Sequence, residues 1–249
     1  VQIIDPSVIV VTNIRPDHQE QWGYSHRSLY RIFAQAVPKK CVLFLPDEES
    51  SAFFAQDTAY SGLEIKFVKQ TLPADLSTRI NRLFPNEFKQ NIELALAAAE
   101  YLGVDKETAL VGMETSRPDF GSLRAWRSSR DDSCDEYIFV SAFSANDPLS
   151  TQMVINKIIE SGLKDEKKII GILNLREDRA DRTIQWLHEF NEGNISEINR
   201  LILTGAHASA FKRKLKSFKI VDVEVLKERD PQEFLIRVLE KEKNENVLL

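Results

Sequence analysis

Residues 137–151 have the sequence YIFVSAFSANDPLST, and this stretch decides the fold class of its half of the chain. The aromatic and β-branched residues at 137–140 predict a buried strand. Asp147 and Pro148 then favour a helix start, since Asp is a preferred N-cap and Pro suits the first helical position. A strand followed by a polar loop and a capped helix is the repeating unit of an α/β fold.

The same alternation continues through most of the sequence. It predicts parallel strands covered by helices, and therefore an α/β fold class throughout. The predicted strands are 8–13, 41–46, 63–69, 137–142, 169–174, 200–204 and 219–226. The predicted helices are 25–36, 87–102, 148–161, 180–190, 206–216 and 231–243. The helix at 87–102 has the clearest pattern, because Ala and Leu recur at helical spacing up to Gly103, a typical terminating residue.

Composition and charge exclude several classes of protein. The 249 residues include 33 Lys plus Arg against 38 Asp plus Glu, for a net charge of −5. A protein that binds nucleic acid through its phosphates is normally basic, so we expect no nucleic-acid partner. No apolar run approaches the roughly 18 residues that a membrane-spanning helix needs. Two cysteines, Cys41 and Cys134, are too few for a disulfide framework or a thiolate metal site.

The glycines exclude two nucleotide-binding motifs. All nine stand singly, and neither GxGxxG nor GxxxxGK[ST] can be written from them. A nucleotide bound here would have its phosphates held partly by other groups. An unrelated Rossmann-like enzyme such as a methyltransferase is disfavoured, because it would need a glycine-rich first loop.

Two domains are predicted from a change in composition. Ser, Arg and Asp accumulate at 114–136, where the apolar periodicity fades. We place the boundary at the start of this segment, giving domains 1–114 and 115–249. A buried strand within the first residues also leads us to expect that the chain is a piece of a longer polypeptide.

The first candidate site follows the strand predicted at 8–13. Open α/β sheets bind ligands at the carboxyl ends of their strands. Asn13, Asp17 and His18 lie at this position. A carboxylate beside a histidine can fix the imidazole tautomer while the other ring nitrogen meets a metal. An ordinary loop histidine is the alternative.

Two further polar segments follow later strands. In the segment 144–151, an N-cap role explains Asp147. It does not explain why a polar loop directly follows an apolar strand. In 173–182, three arginines and three acids follow a strand within seven residues. Guanidinium groups there suit phosphate oxygens and a carboxylate suits a ribose hydroxyl, although surface ion pairs among themselves are equally consistent.

Taken together, these segments resemble the Mur ligase superfamily, the ATP-dependent ligases that join a carboxylate to an amine. Thr12-Asn13 with Asp17-His18 is similar to the TN…DH motif, and Asn91 on the alanine-rich helix is similar to the adenine-binding motif. Within the superfamily, the chain resembles the poly-γ-glutamate synthase catalytic subunit, or capsule-synthesis ligase. The elements that carry this are Pro118–Arg124, Phe143–Thr151, and Asn174 with Arg176, Asp178, Arg179 and Arg182.

The resemblance implies a fold and a set of roles. The fold would be the rear part of a P-loop-type central ATPase domain followed by a Rossmann-like C-terminal ligase domain. His18, with Asp17 behind it, would bind the second Mg²⁺ (or Mn²⁺), and Arg124 would reach the γ-phosphate of ATP. The residues implied to contact nucleotide, phosphate, ribose or acidic substrate are Asn13, Asn91, Asn146, Asp147, Arg176, Asp178 and Arg179.

The sequence departs from the family pattern at Phe120, where the poly-γ-glutamate branch usually has Pro, and at Ser141, where it tends to have Asn. Two larger departures concern the metal site and the P-loop. Ligases of the Mur group carry a carbamylated lysine fifteen residues after the motif histidine, where this chain has Phe33. The family's P-loop and metal-binding glutamate precede the TN…DH strand, so both would lie before Val1. We therefore expect an N-terminal fragment carrying the P-loop as a partner.

The resemblance implies γ-glutamyl peptide bond formation through an acyl phosphate, with glutamate or poly-γ-glutamate as substrate. The alternatives are another amino-acid ligase of the folylpolyglutamate or cyanophycin type, or a non-catalytic nucleotide-binding half that completes a site. The family also implies membrane partner subunits, and hence a cytoplasmic protein that can lie at the inner face of the cell membrane. An oligomer is left open.

Overall fold

The computed structural model describes residues 4–14, 26–38, 40–49, 63–69, 73–83, 87–117, 121–129, 136–143, 145–164, 167–216, 222–242 and 247–248. The chain divides into two compact units, Val1–Pro118 and Asp119–Leu249. Each unit has its own sheet, with mostly parallel strands, and its own apolar core, as an α/β layer architecture requires.

The described strands of the first unit form a parallel sheet in the order β1-β2-β3. These strands are β1 (Val8–Val10), β2 (Val42–Pro46) and β3 (Glu64–Val68). The central strand β2 is buried along its whole length, because helices cover both of its faces. Helix α1 (His26–Ala36) packs Tyr30 on one face, and α3 (Lys89–Tyr101) packs Leu94 on the other.

Two more helices complete the described part of this unit. Helix α2 (Ala74–Leu83) and helix α4 (Lys106–Glu114) pack against α3 through a shared apolar cluster. Neither was predicted, because each is short and presents few apolar residues. Asp105 begins α4 by accepting a hydrogen bond from the Thr108 amide at 3.0 Å, a typical N-cap.

Six described strands of the second unit form a sheet in the order β4-β5-β9-β6-β7-β8. The strands are β4 (Arg124–Ser129), β5 (Glu136–Ser141), β6 (Lys168–Asn174), β7 (Arg200–Thr204), β8 (Asp222–Val225) and β9 (Val247–Leu248). The helices are α5 (Pro148–Glu160), α6 (Ala180–Glu192), α7 (Ala208–Lys214) and α8 (Pro231–Glu240). Helix α8 packs Val238 against the sheet. Trp186 stacks on Phe190 within α6, and Phe190 meets Phe211 of α7 edge to face.

Strands β4 and β9 differ from the sequence-based expectation. Strand β4 lies in the polar segment that was interpreted as a boundary, and it pairs antiparallel with β5 in an otherwise parallel arrangement. An edge strand with exposed side chains needs no apolar alternation, so its sequence carries no strand signal. Strand β9 spans two described residues and inserts between β5 and β6, which is too short for a periodic pattern.

An ion network holds the amino end of β7. Arg200, 5% exposed, donates to Glu242, 6% exposed, and to Glu224 on β8. Burial opposes the charge on Arg200, but these carboxylates together raise the pKa of its guanidinium. The network joins β7, β8 and the segment after α8, so it ties the end of α8 to the sheet.

Candidate active site

The structure describes two predicted residues of the first unit, Asn13 and Asn91, and both lie at the carboxyl edge of its sheet. Asn13 is exposed and follows β1, as expected for a residue that meets a ligand there. Asn91 is half-buried in the first turn of α3. Its neighbour Gln90 donates a hydrogen bond of 2.9 Å to Glu48, which follows β2. This contact brings the first turn of α3 to the same edge as Asn13.

Asp17 and His18 lie outside the described residues. In the part of the chain that the structure describes, no three His, Cys, Asp or Glu side chains converge as metal ligands. The Mg²⁺ assignment therefore stays a prediction from the sequence. Phe33, which stands where the sequence resemblance to the Mur ligases would place a lysine, packs against the buried cluster that includes Tyr30 and Leu43.

Glu93 is a buried acid on α3 that sequence reasoning missed. Its side chain is 3% exposed, and neither carboxylate oxygen has a hydrogen-bond partner among the described residues. The Lys89 ammonium lies 3.8 Å away. Burial raises the pKa of Glu93, nearby Lys89 opposes this, and nearby Glu48 adds to it. Glu93 lies among the alanines and leucines of an apolar helix, so the sequence pattern did not single it out.

In the second unit, the predicted residues also gather at the carboxyl edge of the sheet. Arg124 begins β4 and pairs with Ser141 at the end of the antiparallel strand β5, so it lies beside the loop that follows β5. That loop contains Asn146, which is exposed, and Asp147, which is half-buried. The loop after β6 contributes Arg176, Asp178 and Arg179.

Asp147 performs the capping role that its sequence context predicts. One carboxylate oxygen accepts from the Ser150 amide at 2.9 Å, and the other accepts from the Ser150 hydroxyl. Thr151 Oγ1 in turn donates to the Ala145 carbonyl at 2.9 Å, which closes the loop onto the first turn of α5. Asp147 thus shapes the loop, and exposed Asn146 is the better placed of the two to contact a ligand.

The loop after β6 carries two ion pairs of the same spacing. Arg176 donates to Asp178 from Nε at 2.9 Å and from Nη2 at 2.6 Å, and both side chains are more than half exposed. Arg179 donates to Asp181 at 3.3 Å and 3.4 Å, in a half-buried position. The hydrogen bonds from Arg176 lower the pKa of Asp178. Burial raises the pKa of Asp181, but its hydrogen bond to Arg179 and nearby charges lower it overall.

This arrangement combines the two interpretations that the sequence left open. The acids do pair with the arginines, but the Arg176 pair is exposed at the edge where α/β sheets bind ligands. An exposed guanidinium keeps donors available and matches carboxylate or phosphate oxygens with two parallel hydrogen bonds. The segment 176–179, which we call the arginine loop, therefore suits an anionic ligand.

The turn after β7 holds the arginine loop, and sequence reasoning missed this role. His207 follows β7 and has Nε2 at 3.2 Å from the Glu177 carbonyl. Gly205 lies against Leu175 so closely that an added Cβ would come within 2.4 Å of the Leu175 carbonyl oxygen. The signal was present, because both residues follow the predicted strand 200–204, at the same edge as the other candidate sites.

Comparison with known proteins identifies relatives of both units. Residues 128–249 match the family described as poly-gamma-glutamate synthase CapB C-terminal domain. The chain is 31% identical over 193 residues to the capsule biosynthesis protein CapB of Bacillus anthracis, covering 76% of this chain and 39% of that protein. It is 28% identical over 219 residues to the PGA synthase CapB of Bacillus subtilis (strain 168), covering 88% of this chain and 54% of that protein. The chain thus spans between about two fifths and just over half the length of these curated relatives.

Solved structures agree with the fold. MurF of Acinetobacter baumannii matches 99% of this chain and 56% of its own with a TM-score of 0.66 at 14% identity. FolC of E. coli, solved in complex with ADP, has a TM-score of 0.66 at 15% identity, and the match covers 99% of this chain and 59% of the FolC chain. The predicted α/β fold class is confirmed by these structures. The resemblance to the poly-γ-glutamate synthase CapB is confirmed by the family match and the curated relatives.

Proposed function

We propose that this chain, a Mur ligase relative of the CapB poly-γ-glutamate synthases, is part of an ATP-dependent ligase that forms γ-glutamyl amide bonds. The observation that carries the proposal is the exposed arginine loop at the carboxyl edge of a sheet whose domain matches the CapB family. In CapB relatives of greater length, the matching region is only part of the protein, so we assign the activity to the assembled ligase.

The reaction would proceed in two steps. A carboxylate oxygen of the glutamate or polyglutamate substrate attacks the γ-phosphorus of ATP, which releases ADP and leaves an acyl phosphate. The amine of the incoming glutamate then attacks the acyl carbon, loses a proton to solvent or to a base, and expels inorganic phosphate. The product is an amide, and the substrate oxygen that attacked leaves with the phosphate.

The residues of this chain would bind and orient the reactants. We assign Arg124 to the γ-phosphate, because a fixed cation there neutralises charge that develops during transfer. We assign Asn13, Asn91 and Asn146 to the nucleotide, with Asp147 shaping the loop of Asn146. The arginine loop would bind the phosphate, ribose or acidic substrate through Arg176, Asp178 and Arg179.

Mg²⁺ would supply the remaining positive charge when bound. We assign one of its ligands to His18, with Asp17 orienting the imidazole. The other parts of the proposal also extend beyond this chain: a partner segment with the P-loop, membrane partner subunits, and a cytoplasmic position at the inner face of the membrane. None of the described helices is long and apolar enough to cross a membrane.

A substrate panel tests the function. ADP formation by the ligase assembled with its P-loop segment is measured with ATP and Mg²⁺, in the presence and absence of glutamate, poly-γ-glutamate, a folate or an aspartate–arginine polymer. Stimulation by glutamate or its polymer is expected. If ADP formation were stimulated only by the folate, or only by the aspartate–arginine polymer, the assignment would change to a folylpolyglutamate-type or a cyanophycin-type ligase, respectively. Mg²⁺-dependent ADP binding without turnover would favour a nucleotide-binding half that acts only with a partner.

A further inference from the structure

His207 makes two hydrogen bonds to the strand–helix connection that follows β6. Its backbone amide donates to the Leu175 carbonyl at 3.3 Å, and its Nε2 lies 3.2 Å from the Glu177 carbonyl. The Leu175 amide donates in the other direction, to the Thr204 carbonyl at 2.8 Å. The turn after β7 is therefore hydrogen-bonded to both ends of the short segment 175–177 that follows β6.

The side-chain bond is the one that reaches into the arginine loop. A carbonyl oxygen only accepts, so His207 Nε2 must carry the proton. Glu177 lies between Arg176 and Asp178, and fixing its carbonyl fixes the orientation of the peptide that precedes Asp178. The two-point contact between Arg176 and Asp178 depends on that orientation, because the partners are only two residues apart.

Gly205 lets His207 approach. It has φ +91°, a left-handed conformation, and its missing side chain leaves room for the Leu175 carbonyl and the Asn174 side chain. Close packing of these two turns leaves little room for the arginine loop to move as a body. The loop itself is stabilised internally by a longer Arg179 amide to Arg176 carbonyl bond of 3.4 Å.

We infer that His207 is a positioning residue that holds the arginine loop in its ligand-binding conformation through the Glu177 carbonyl. The expected effect of His207 on turnover rests on the proposed function, whereas its expected effect on the arginine loop rests on the geometry alone. His207 contacts neither reacting atoms nor nucleotide in this account. It acts through the backbone of the segment that carries Arg176.

The first experiment measures amide hydrogen exchange in the peptide 174–182. Three variants are compared with the parent protein: His207→Ala, His207→Gln, whose amide can donate from a similar position, and His188→Ala, an exposed histidine on α6. We expect about tenfold faster exchange in this peptide for His207→Ala, and exchange close to the parent for the other two. Unchanged exchange in His207→Ala would overturn the inference, whatever the enzymatic activity.

The second experiment measures steady-state turnover with MgATP and glutamate by the same variants, each in the ligase assembled with its P-loop segment. We expect His207→Ala to raise KM for ATP or glutamate about tenfold, corresponding to 1.4 kcal/mol, with kcat changed by less than about twofold. His207→Gln should restore most of the loss. A fall in kcat alone, or a loss that Gln does not rescue, would contradict a positioning role. Absence of turnover in the parent ligase assembled with its P-loop segment would instead contradict the proposed function, and the exchange experiment would still decide the role of His207.

Discussion

Arg176 and Asp178 form a two-point ion pair at 2.9 Å and 2.6 Å while both remain more than half exposed. Exposed ion pairs contribute little to folding stability, so stability alone gives no reason for this geometry. A guanidinium held flat in this way is already oriented for an anionic ligand, which then gains affinity because less ordering is needed on binding. Under the proposed function, an anionic ligand would meet Arg176 in this orientation.

Replacement of Arg176 by Lys is predicted to weaken ligand binding without affecting folding. Lysine keeps the charge but cannot make the two parallel hydrogen bonds of a guanidinium. We expect an increase of about tenfold in KM for ATP or glutamate, and an unfolding midpoint equal to that of the parent. Arg213→Lys, on the exposed last turn of α7, is the matched control. Equal kinetics for the two variants would remove Arg176 from the site.

Asp147 and Asn146 are predicted to have separable effects. Asp147→Ala removes the cap of α5 and should lower the free energy of unfolding by about 1 kcal/mol, whereas Asp147→Asn should nearly preserve it. Asn146→Ala should leave stability unchanged and weaken MgADP binding, because Asn146 is exposed and contributes no cap. Urea unfolding and calorimetric titration check the two effects. A stability loss in Asn146→Ala, with ADP affinity retained, would reverse the assignment.

Gly205→Ala is predicted to be much more damaging than Gly103→Ala. Both glycines have positive φ, +91° and +83°, so each alanine carries the left-handed cost of about 1 kcal/mol. An added Cβ at Gly103 meets no atom within 4 Å, whereas at Gly205 it would come within 2.4 Å of the Leu175 carbonyl oxygen. We expect about 2 kcal/mol of additional destabilisation at Gly205, measured by urea unfolding. Equal losses would mean that the turns after β6 and β7 are not closely packed.

Glu93→Gln is predicted to stabilise the protein at neutral pH. The folded-state pKa of Glu93 is raised, mainly by burial, so folding favours its protonated form. The resulting penalty is absent below the ordinary carboxyl pKa of about 4.3 and grows as the pH rises through the raised folded value. We expect a gain of about 1 kcal/mol or more at pH 8 that disappears near pH 4.

The control for this prediction is Glu100→Gln on the same helix. Glu100 is 64% exposed and lies at 4.0 Å from Lys106, so its neutralisation should change stability by less than about 0.5 kcal/mol at either pH. The comparison requires unfolding curves of the parent and both variants at the two pH values. A gain for Glu93→Gln that persists at pH 4 would point to a cause other than the buried charge.

The sequence predicted most of the regular fold because apolar periodicity marks buried strands and the helices that cover them. Strand β2 and helix α3 have this signal over their whole lengths. Strand β4 and helix α4 do not, since an exposed edge strand or a short helix needs few apolar residues. The insertion of β9 between β5 and β6 is a long-range pairing that no local pattern encodes.

The candidate site was predictable to a different extent. Motif residues could be assigned to the ends of strands, and Arg124, Asn146 and Arg176 do lie at one edge of the second sheet. The sequence could not predict whether Asp178 binds a ligand or pairs with Arg176, because that depends on the shape of the loop. The contact of His207 with Glu177 joins residues 30 positions apart and follows only from the register of β6 with β7.

The most direct test of the central claim is the fate of a carboxylate oxygen. Glutamate or poly-γ-glutamate labelled with ¹⁸O in its carboxyl groups is incubated with ATP, Mg²⁺ and the purified ligase, and the released phosphate is analysed by mass spectrometry. An acyl-phosphate route predicts one ¹⁸O atom in each inorganic phosphate released with ADP. Unlabelled phosphate, release of AMP in place of ADP, or no glutamate-dependent turnover would contradict the account.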